Sequence, residues 1–360
     1  MLPSAAAVLG VAGFTDTVGL AARVAGARRL CVLLVDGLGA DLLAGHLDAA
    51  PYVRDHGDFQ VLSTGFPSTT PTSLASIGTG LPPGGHGLLG FRIAVPGSEA
   101  LLHPLRWDPA IDPLVVQPNR TVFERVAAAG VAVVNAAPAR FDGTPLTTAA
   151  MRGARYEGSY AAGDMVARAR EALRHGDRSL VYCYHGDVDM IGHVRGCTSM
   201  AWQDQLHVVD GLVEALAGAL PPDAALLVTA DHGMLDVPPE RHVDVDADPA
   251  LRDGVRLLGG ENRARYLYCE PGAAADVLAT WRERLGDGAW VFSREEAVAT
   301  GWFGPMADGF EARIGDVVAV AREIAIVATK AEPLDSRLIG MHGALTPAEL
   351  RIPLIVVPPR

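Results

Sequence analysis

Leu30-Cys31-Val32-Leu33-Leu34-Val35-Asp36-Gly37 is the stretch on which the fold turns. Its apolar run lacks the two-residue alternation of a half-exposed strand and the length of a buried helix. That is how a strand buried on both faces of a parallel sheet reads. The same pattern recurs at Val131–Asn135, Ser179–Tyr184, Ala225–Ala230 and Leu354–Val357. Helix signals fall between these runs. Thr121 and Glu124 have capping-box spacing with Gly130 as a stop, residues 160–175 and 199–219 have helical periodicity, and Ser293 with Glu296 opens another helix. Strands alternating with helices predict an α/β fold, a doubly wound and mostly parallel sheet flanked by helices.

Two regions fit the alternation poorly. Residues 91–118, with Pro96, Pro104, Pro109, Pro113 and Pro118, read as a long loop. Residues 236–338 hold short strands at Tyr266–Tyr268, Trp290–Phe292, Asp316–Val320 and Glu323–Val327, and one helix near 273–286. They predict a small α+β lobe inserted into a catalytic core made of 1–235 and 339–360.

The 360 residues are 49% hydrophobic and 20% charged, enough to bury a large core. The net charge of −12 excludes a nucleic-acid surface as the main partner. A phosphate-bearing ligand would need a local positive charge, which a bound metal supplies. Cys31, Cys183, Cys197 and Cys269 form no CxxC pair and read as buried reduced thiols. The apolar N-terminus lacks a basic segment and no run is long enough to span a membrane, so the expected location is cytoplasmic.

In open α/β sheets, ligands bind beyond the carboxyl ends of the strands. Asp36-Gly37 follows the first run, His185 to His193 (including Asp189) the third, and Asp231-His232-Gly233 the fourth, while Met341-His342-Gly343 precedes the last. Carboxylates with neutral imidazoles suit Zn²⁺, Mn²⁺ or Fe²⁺. Asp189 and His193, four apart, share a face if their segment is helical. Phe66 to Ser73 is dense in hydroxyls and precedes a helical run, placing a hydroxyl where the helix dipole favours phosphate. The strand-following Gly37-Leu38-Gly39 is no dinucleotide fingerprint, because the third glycine would fall at Leu42.

These motifs, from residue 31 to 343, resemble the alkaline phosphatase superfamily, above all its nucleotide pyrophosphatase/phosphodiesterase branch, and are also similar to phosphonoacetate hydrolase. The resemblance implies two Zn²⁺, with Mn²⁺ as substitute. Asp36, Asp231, His232 and the nucleophilic threonine would hold one ion; Asp189, His193 and His342 would hold the other. The family places the nucleophile three residues after a Pro and ten before the Gly of a Thr-Gly pair; Pro67 and Gly80 both then select Thr70, whereas a Thr-x-Pro pattern favours Thr69. Phe91 stands where family phosphodiesterases carry an Asn, which leaves Arg92 as the nearest donor to a phosphoryl oxygen. A formylglycine sulfatase is excluded, since Ser73 replaces its arginine. Three carboxylates under two divalent ions leave the site near neutral once the hydroxyl ionises, so the metals alone attract a phosphodiester anion.

The expected function is hydrolysis of phosphodiester or pyrophosphate bonds in small nucleotide-type molecules through a phospho-threonine. The alternatives are a phosphomonoesterase or phosphonate hydrolase on the same core, and a non-enzymatic metal-dependent binding protein or degenerate homologue. In the lobe, Arg263, Arg265 and Arg313 read as a solvated face or as contacts to a second phosphate.

Overall fold

The computed structural model describes residues 1–95 and 100–360. Six strands come first: β1 (Arg29–Val35), β2 (Asp58–Ser63), β3 (Ala132–Ala136), β4 (Arg155–Tyr156), β5 (Ser179–His185) and β6 (Ala224–Thr229). The next segment holds β7 (Leu235–Asp236), β8 (His242–Asp244), β9 (Val255–Glu261), β10 (Ala264–Cys269), β11 (Ala289–Ser293), β12 (Val317–Ala321), β13 (Ala325–Val327) and β14 (Gly340–Met341). β15 (Arg351–Val357) closes the chain.

The main sheet has the order β2-β15-β6-β1-β5-β3-β4, and the five strands from β6 to β4 are parallel. β1 shows why its sequence has no alternation. Leu30, Val32 and Leu34 enter one core layer while Cys31, Leu33 and Val35 enter the other. Helices cover both faces: Thr70–Thr79, Val122–Ala128 and Pro145–Met151 on the first, Ala162–Ala172 and Met200–Ala219 on the second. The capping boxes at Thr121/Glu124 and Ser293/Glu296 both form. All four cysteines are free and buried. Among the described residues no helix is long and apolar enough to cross a membrane.

The last apolar run differs from expectation in direction. β15 is antiparallel to β6 and to the edge strand β2, with Leu354 opposite Thr229 at the end of β6. The chain enters β15 from the loop that carries His342, already at the carboxyl edge of the parallel strands, and runs back from there. β2 was not legible as a strand, because an edge strand with alternating, partly exposed side chains lacks the continuous apolar run.

Residues 255–321 form the antiparallel sheet β11-β12-β10-β9. Its two faces part ways. Leu267, Val317 and Ala319 pack beneath the helix Ala274–Leu285 and its buried Trp281. Tyr266, Tyr268, Val318 and Val320 join the same core layer as Phe66 and Leu88. One face of the second sheet is thus fused to the main core. The long loop between residues 91 and 118 contains the short helix Pro113–Val116 and is fastened by the Gln117 amide, which donates to the Ala149 carbonyl at 2.7 Å. Pro96 lies outside the described residues.

The lobe arginines are neither solvated nor open to a ligand. Arg263 is fully buried and donates two 3.0 Å bonds to the equally buried Glu349. Arg265 pairs with Glu332 at 2.8 Å, and Arg313 donates to the carbonyls of Gly87 and Val116. Glu349 also accepts from the Ala344 amide and the Thr346 hydroxyl, so one ion pair ties the β9–β10 turn to the His342 loop. Removing one partner leaves an uncompensated buried charge. Glu349→Ala is expected to destabilise the fold by about 3–5 kcal/mol, and Arg263→Met combined with Glu349→Leu to recover much of that, as read by thermal denaturation.

Candidate metal centre and active site

The parallel strands deliver the acids to one edge. Asp36 directly follows β1, and its amide extends the ladder by donating to the His185 carbonyl at 2.9 Å. Asp231 and His232 follow β6, next door. The glycine after each motif has a structural cause. Gly37 has φ +72°, and a Cβ there would lie 2.9 Å from Asp189. A Cβ on Gly233 would meet the Ala348 carbonyl oxygen at 2.0 Å. Only glycine lets these turns close around the site.

Asp189 and His193 lie on the helix Asp187–Arg195, and their four-residue spacing brings Nε2 of His193 to 3.4 Å from Oδ1 of Asp189. His342 arrives from the loop after β14, with Nε2 3.8 Å from the same carboxylate oxygen. The His232 and His342 rings stack with centroids 3.7 Å apart. Asp36, Asp189, Asp231, His193, His232 and His342 therefore all converge.

Each imidazole is oriented through its other nitrogen. Nδ1 of His193 reaches the Gly340 carbonyl at 2.8 Å, Nδ1 of His232 the Gly233 carbonyl at 3.0 Å, and Nδ1 of His342 the Ser68 carbonyl at 2.9 Å. A carbonyl only accepts, so each Nδ1 donates to it, and that contact fixes the ring with Nε2 turned toward the acids. Ser68 braces the loop further: its hydroxyl donates to the Ala344 carbonyl at 2.8 Å and accepts from the Gly343 amide at 3.2 Å.

The carboxylates are similarly oriented and left incomplete. Asp231 Oδ1 accepts from the amides of Gly37 and His232 at 3.2 and 3.0 Å, whereas its Oδ2 and Asp189 Oδ1 are buried with no hydrogen-bond partner. Tyr184 donates its hydroxyl to Asp36. Burial pushes the Asp36 carboxyl well above the usual range, and the carboxylates of Asp231 and Asp189 push it further. Asp231 is raised as well, chiefly by burial. Burial, then the neighbouring His232 and His193, holds His342 well below the usual imidazole value. Unpaired acid oxygens beside imidazoles that turn Nε2 toward them form a donor set suited to divalent cations. Two triads have ligand atoms within 4.8 Å of one another: Asp36, Asp231 and His232, and Asp189, His232 and His342. His193 touches the second triad through Asp189, and His232 stands between both.

Thr70 is the first residue of the helix Thr70–Thr79, with Thr69 as its N-cap. The two hydroxyls diverge. Thr70 Oγ1 lies 3.2 Å from Nε2 of His232 and 3.5 Å from Asp36. Thr69 is fully buried and donates to Glu261 at 3.2 Å, away from that cluster. Glu261, at the end of β9, also lies 3.6 Å from Nδ1 of His342. Nothing in the sequence marked Glu261, since a hairpin-end glutamate carries no motif.

Arg92 is placed differently from the role sequence suggested. Its guanidinium is neutralised by Glu332 at 2.9 Å and by Asp335. Two acids distant in sequence claim the charge that would have met a phosphoryl oxygen. Phe91 packs on His103, with centroids 4.5 Å apart. Beside the acids, a pocket of about 560 Å³ is lined by Asp36, Thr70, Asp189 and a set of mostly apolar and aromatic side chains.

A fold of this kind has solved counterparts. Murine ectonucleotide pyrophosphatase/phosphodiesterase 5 aligns over 92% of this chain and 88% of its own, with 20% identity and a TM-score of 0.76. The human protein of the same name covers the same shares at 20% identity with a TM-score of 0.73. Phosphonoacetate hydrolase from Sinorhizobium meliloti 1021, in complex with phosphonoacetate, covers 93% of this chain and 91% of its own at 20% identity, with a TM-score of 0.70. No curated protein sequence matches the chain. At this identity the likenesses establish the fold. The family model for type I phosphodiesterase/nucleotide pyrophosphatase matches residues 30–345, from β1 through the His342 loop. With every converging acid, imidazole and threonine inside that span, the chain belongs to the type I phosphodiesterase/nucleotide pyrophosphatase family, enzymes that hydrolyse phosphoester or phosphoanhydride bonds.

Proposed function

We propose that this enzyme is a di-zinc phosphodiester or pyrophosphate hydrolase acting on small nucleotide-type substrates, with Thr70 as its nucleophile. The observation that carries the reading is the position of the Thr70 hydroxyl, at the start of a helix and within 3.5 Å of both Asp36 and His232. Asp36, Thr70, Asp231 and His232 would hold one Zn²⁺; Asp189, His193 and His342 would hold the other, with Mn²⁺ as a substitute. When bound, such ions supply Lewis-acid charge that lowers the hydroxyl pKa and offsets charge on the phosphoryl oxygens.

The chain's own residues supply the rest. Asp36 and His232 fix the direction of the Thr70 hydroxyl, and Tyr184 holds Asp36 in place. The first turn of the helix turns its free amides toward an incoming anion. The Thr70 hydroxyl gives up its proton to solvent as its oxygen bonds to phosphorus and the bond to the ester oxygen breaks, and the departing oxygen takes a proton from solvent. Water then cleaves the phospho-threonine, returning the hydroxyl and releasing the phosphoryl product. Arg92 is held by Glu332 and Asp335 and does not supply the further cation that a phosphomonoester dianion calls for; a monoester would have to use Arg106 or Arg140, which line the pocket. Turnover of a phosphoester separates this reading from a degenerate binding protein, which would turn over none.

Thr70→Ala is expected to lower kcat on bis-p-nitrophenyl phosphate by about 10³-fold or more with metal content largely intact, and Thr69→Ala by less than about tenfold. Reversed effects would transfer the role to Thr69. Elemental analysis of protein purified without chelator should give about two zinc per chain, and chelation should abolish turnover until Zn²⁺ or Mn²⁺ is restored. Full activity in metal-free protein would overturn the metal assignment. His342→Ala should weaken one zinc equivalent selectively by about 10–100-fold, read by competition with a chromophoric chelator, with turnover recovering in part at high added zinc.

A further inference from the structure

The hairpin that joins β9 to β10 sends one carboxylate toward the site, and no step of the proposed chemistry uses it. Glu261 ends β9. Its Oε2 accepts from the Thr69 hydroxyl at 3.2 Å and lies 3.6 Å from Nδ1 of His342. The side chain also presses on the next residue of that loop. Gly343 has φ +124°, and a Cβ there would lie 2.7 Å from the Glu261 carboxyl carbon. One side chain therefore touches both the N-cap of the helix that begins at Thr70 and the loop that carries His342.

This placement is costly. Glu261 Oε1 is buried without a hydrogen-bond partner. Among the described residues no arginine or lysine forms an ion pair with Glu261, and the cations Arg92 and Arg265 share Glu332 instead. A glutamine would keep the bond from Thr69 and the packing against Gly343. An apolar residue of similar length would avoid the orphaned oxygen altogether. What only a carboxylate adds is negative charge beside an imidazole N–H. The Nδ1 hydrogen bond itself goes to the Ser68 carbonyl at 2.9 Å, so Glu261 acts on the ring by charge across 3.6 Å. Carboxylates behind histidine ligands fix the ring and make its other nitrogen a stronger electron donor. His342 is placed for that, with Nδ1 toward Glu261 and Nε2 toward Asp189 at 3.8 Å.

We propose that Glu261 is a positioning residue for the metal centre. Acting through His342, it sets the affinity of the ion that Asp189, His193 and His342 would hold, and it ties that ligand to the start of the Thr70 helix. The inference rests on the two-ion reading. It makes the second sheet, which contributes none of the six converging side chains, a determinant of metal affinity.

The test compares the full-length parent with Glu261→Gln, and with Glu261→Met in case a buried amide perturbs folding. Zinc affinity is read by competition with a chromophoric chelator. One of the two zinc equivalents should weaken by about tenfold in each variant while the other stays unchanged. The thermal midpoint of zinc-free Glu261→Gln should equal or exceed that of the parent, because no ion pair is lost; a residue that serves only to hold the fold would lower it. In a His342→Ala background the same substitutions should change neither equivalent by more than about twofold, since the effect passes through that imidazole. Two equivalents held as tightly by the folded variants as by the parent would overturn the role of Glu261 and leave the two-ion reading standing. Full additivity with His342→Ala would overturn that role too. A parent that binds no zinc would overturn both.

Discussion

Three carboxylates forced together at the edge of a buried parallel sheet dominate this structure. Asp36, Asp189 and Asp231 arrive from three different elements, and burial together with mutual repulsion raises Asp36 and Asp231. Such crowding is unfavourable without compensating charge. Of the cations held by the second sheet and its loops, Arg263 is taken by Glu349, and Arg92 and Arg265 share Glu332. What faces the three acids directly is a set of imidazoles oriented by backbone carbonyls. Much of the architecture can be understood as the means of holding those imidazoles still. The loop carrying His342 is braced by Ser68 on one side and by the Arg263–Glu349 pair on the other, and the turns at Gly37 and Gly233 close within contact of Asp189 and Ala348.

The second sheet contributes to the site without entering its chemistry. β9 ends in Glu261, which accepts from Thr69 and approaches His342. The β9–β10 turn supplies Arg263, which holds Glu349 ahead of β15, and β10 supplies Arg265, which holds Glu332. Because one face of this sheet shares a core layer with the helix that bears Thr70, the nucleophile segment and the His342 loop are fixed relative to each other by packing as well as by hydrogen bonds. The pocket extends over β3, β4 and β5 and shares Asp36, Thr70 and Asp189 with the acid cluster, so its wall and the candidate metal centre are continuous.

What sequence could reveal follows the same division. The strand-end rule finds Asp36, Asp189, Asp231 and His232 because a parallel sheet aligns its carboxyl ends, and the i,i+4 pair Asp189/His193 is legible once its segment is helical. The direction of β15 was hidden, since an apolar run has no polarity. The lobe arginines were misread because a cation's partner is a tertiary fact: Arg263 and Glu349 are 86 residues apart. Glu261 had no signal at all.

The central claim is that the six converging side chains and Thr70 hold two separate ions. X-ray diffraction at the zinc absorption edge, from crystals of zinc-loaded protein, tests it directly. Two anomalous peaks are expected, one enclosed by Asp36, Thr70, Asp231 and His232, the other by Asp189, His193 and His342. A single peak shared around His232, or none within reach of these carboxylates, would contradict it.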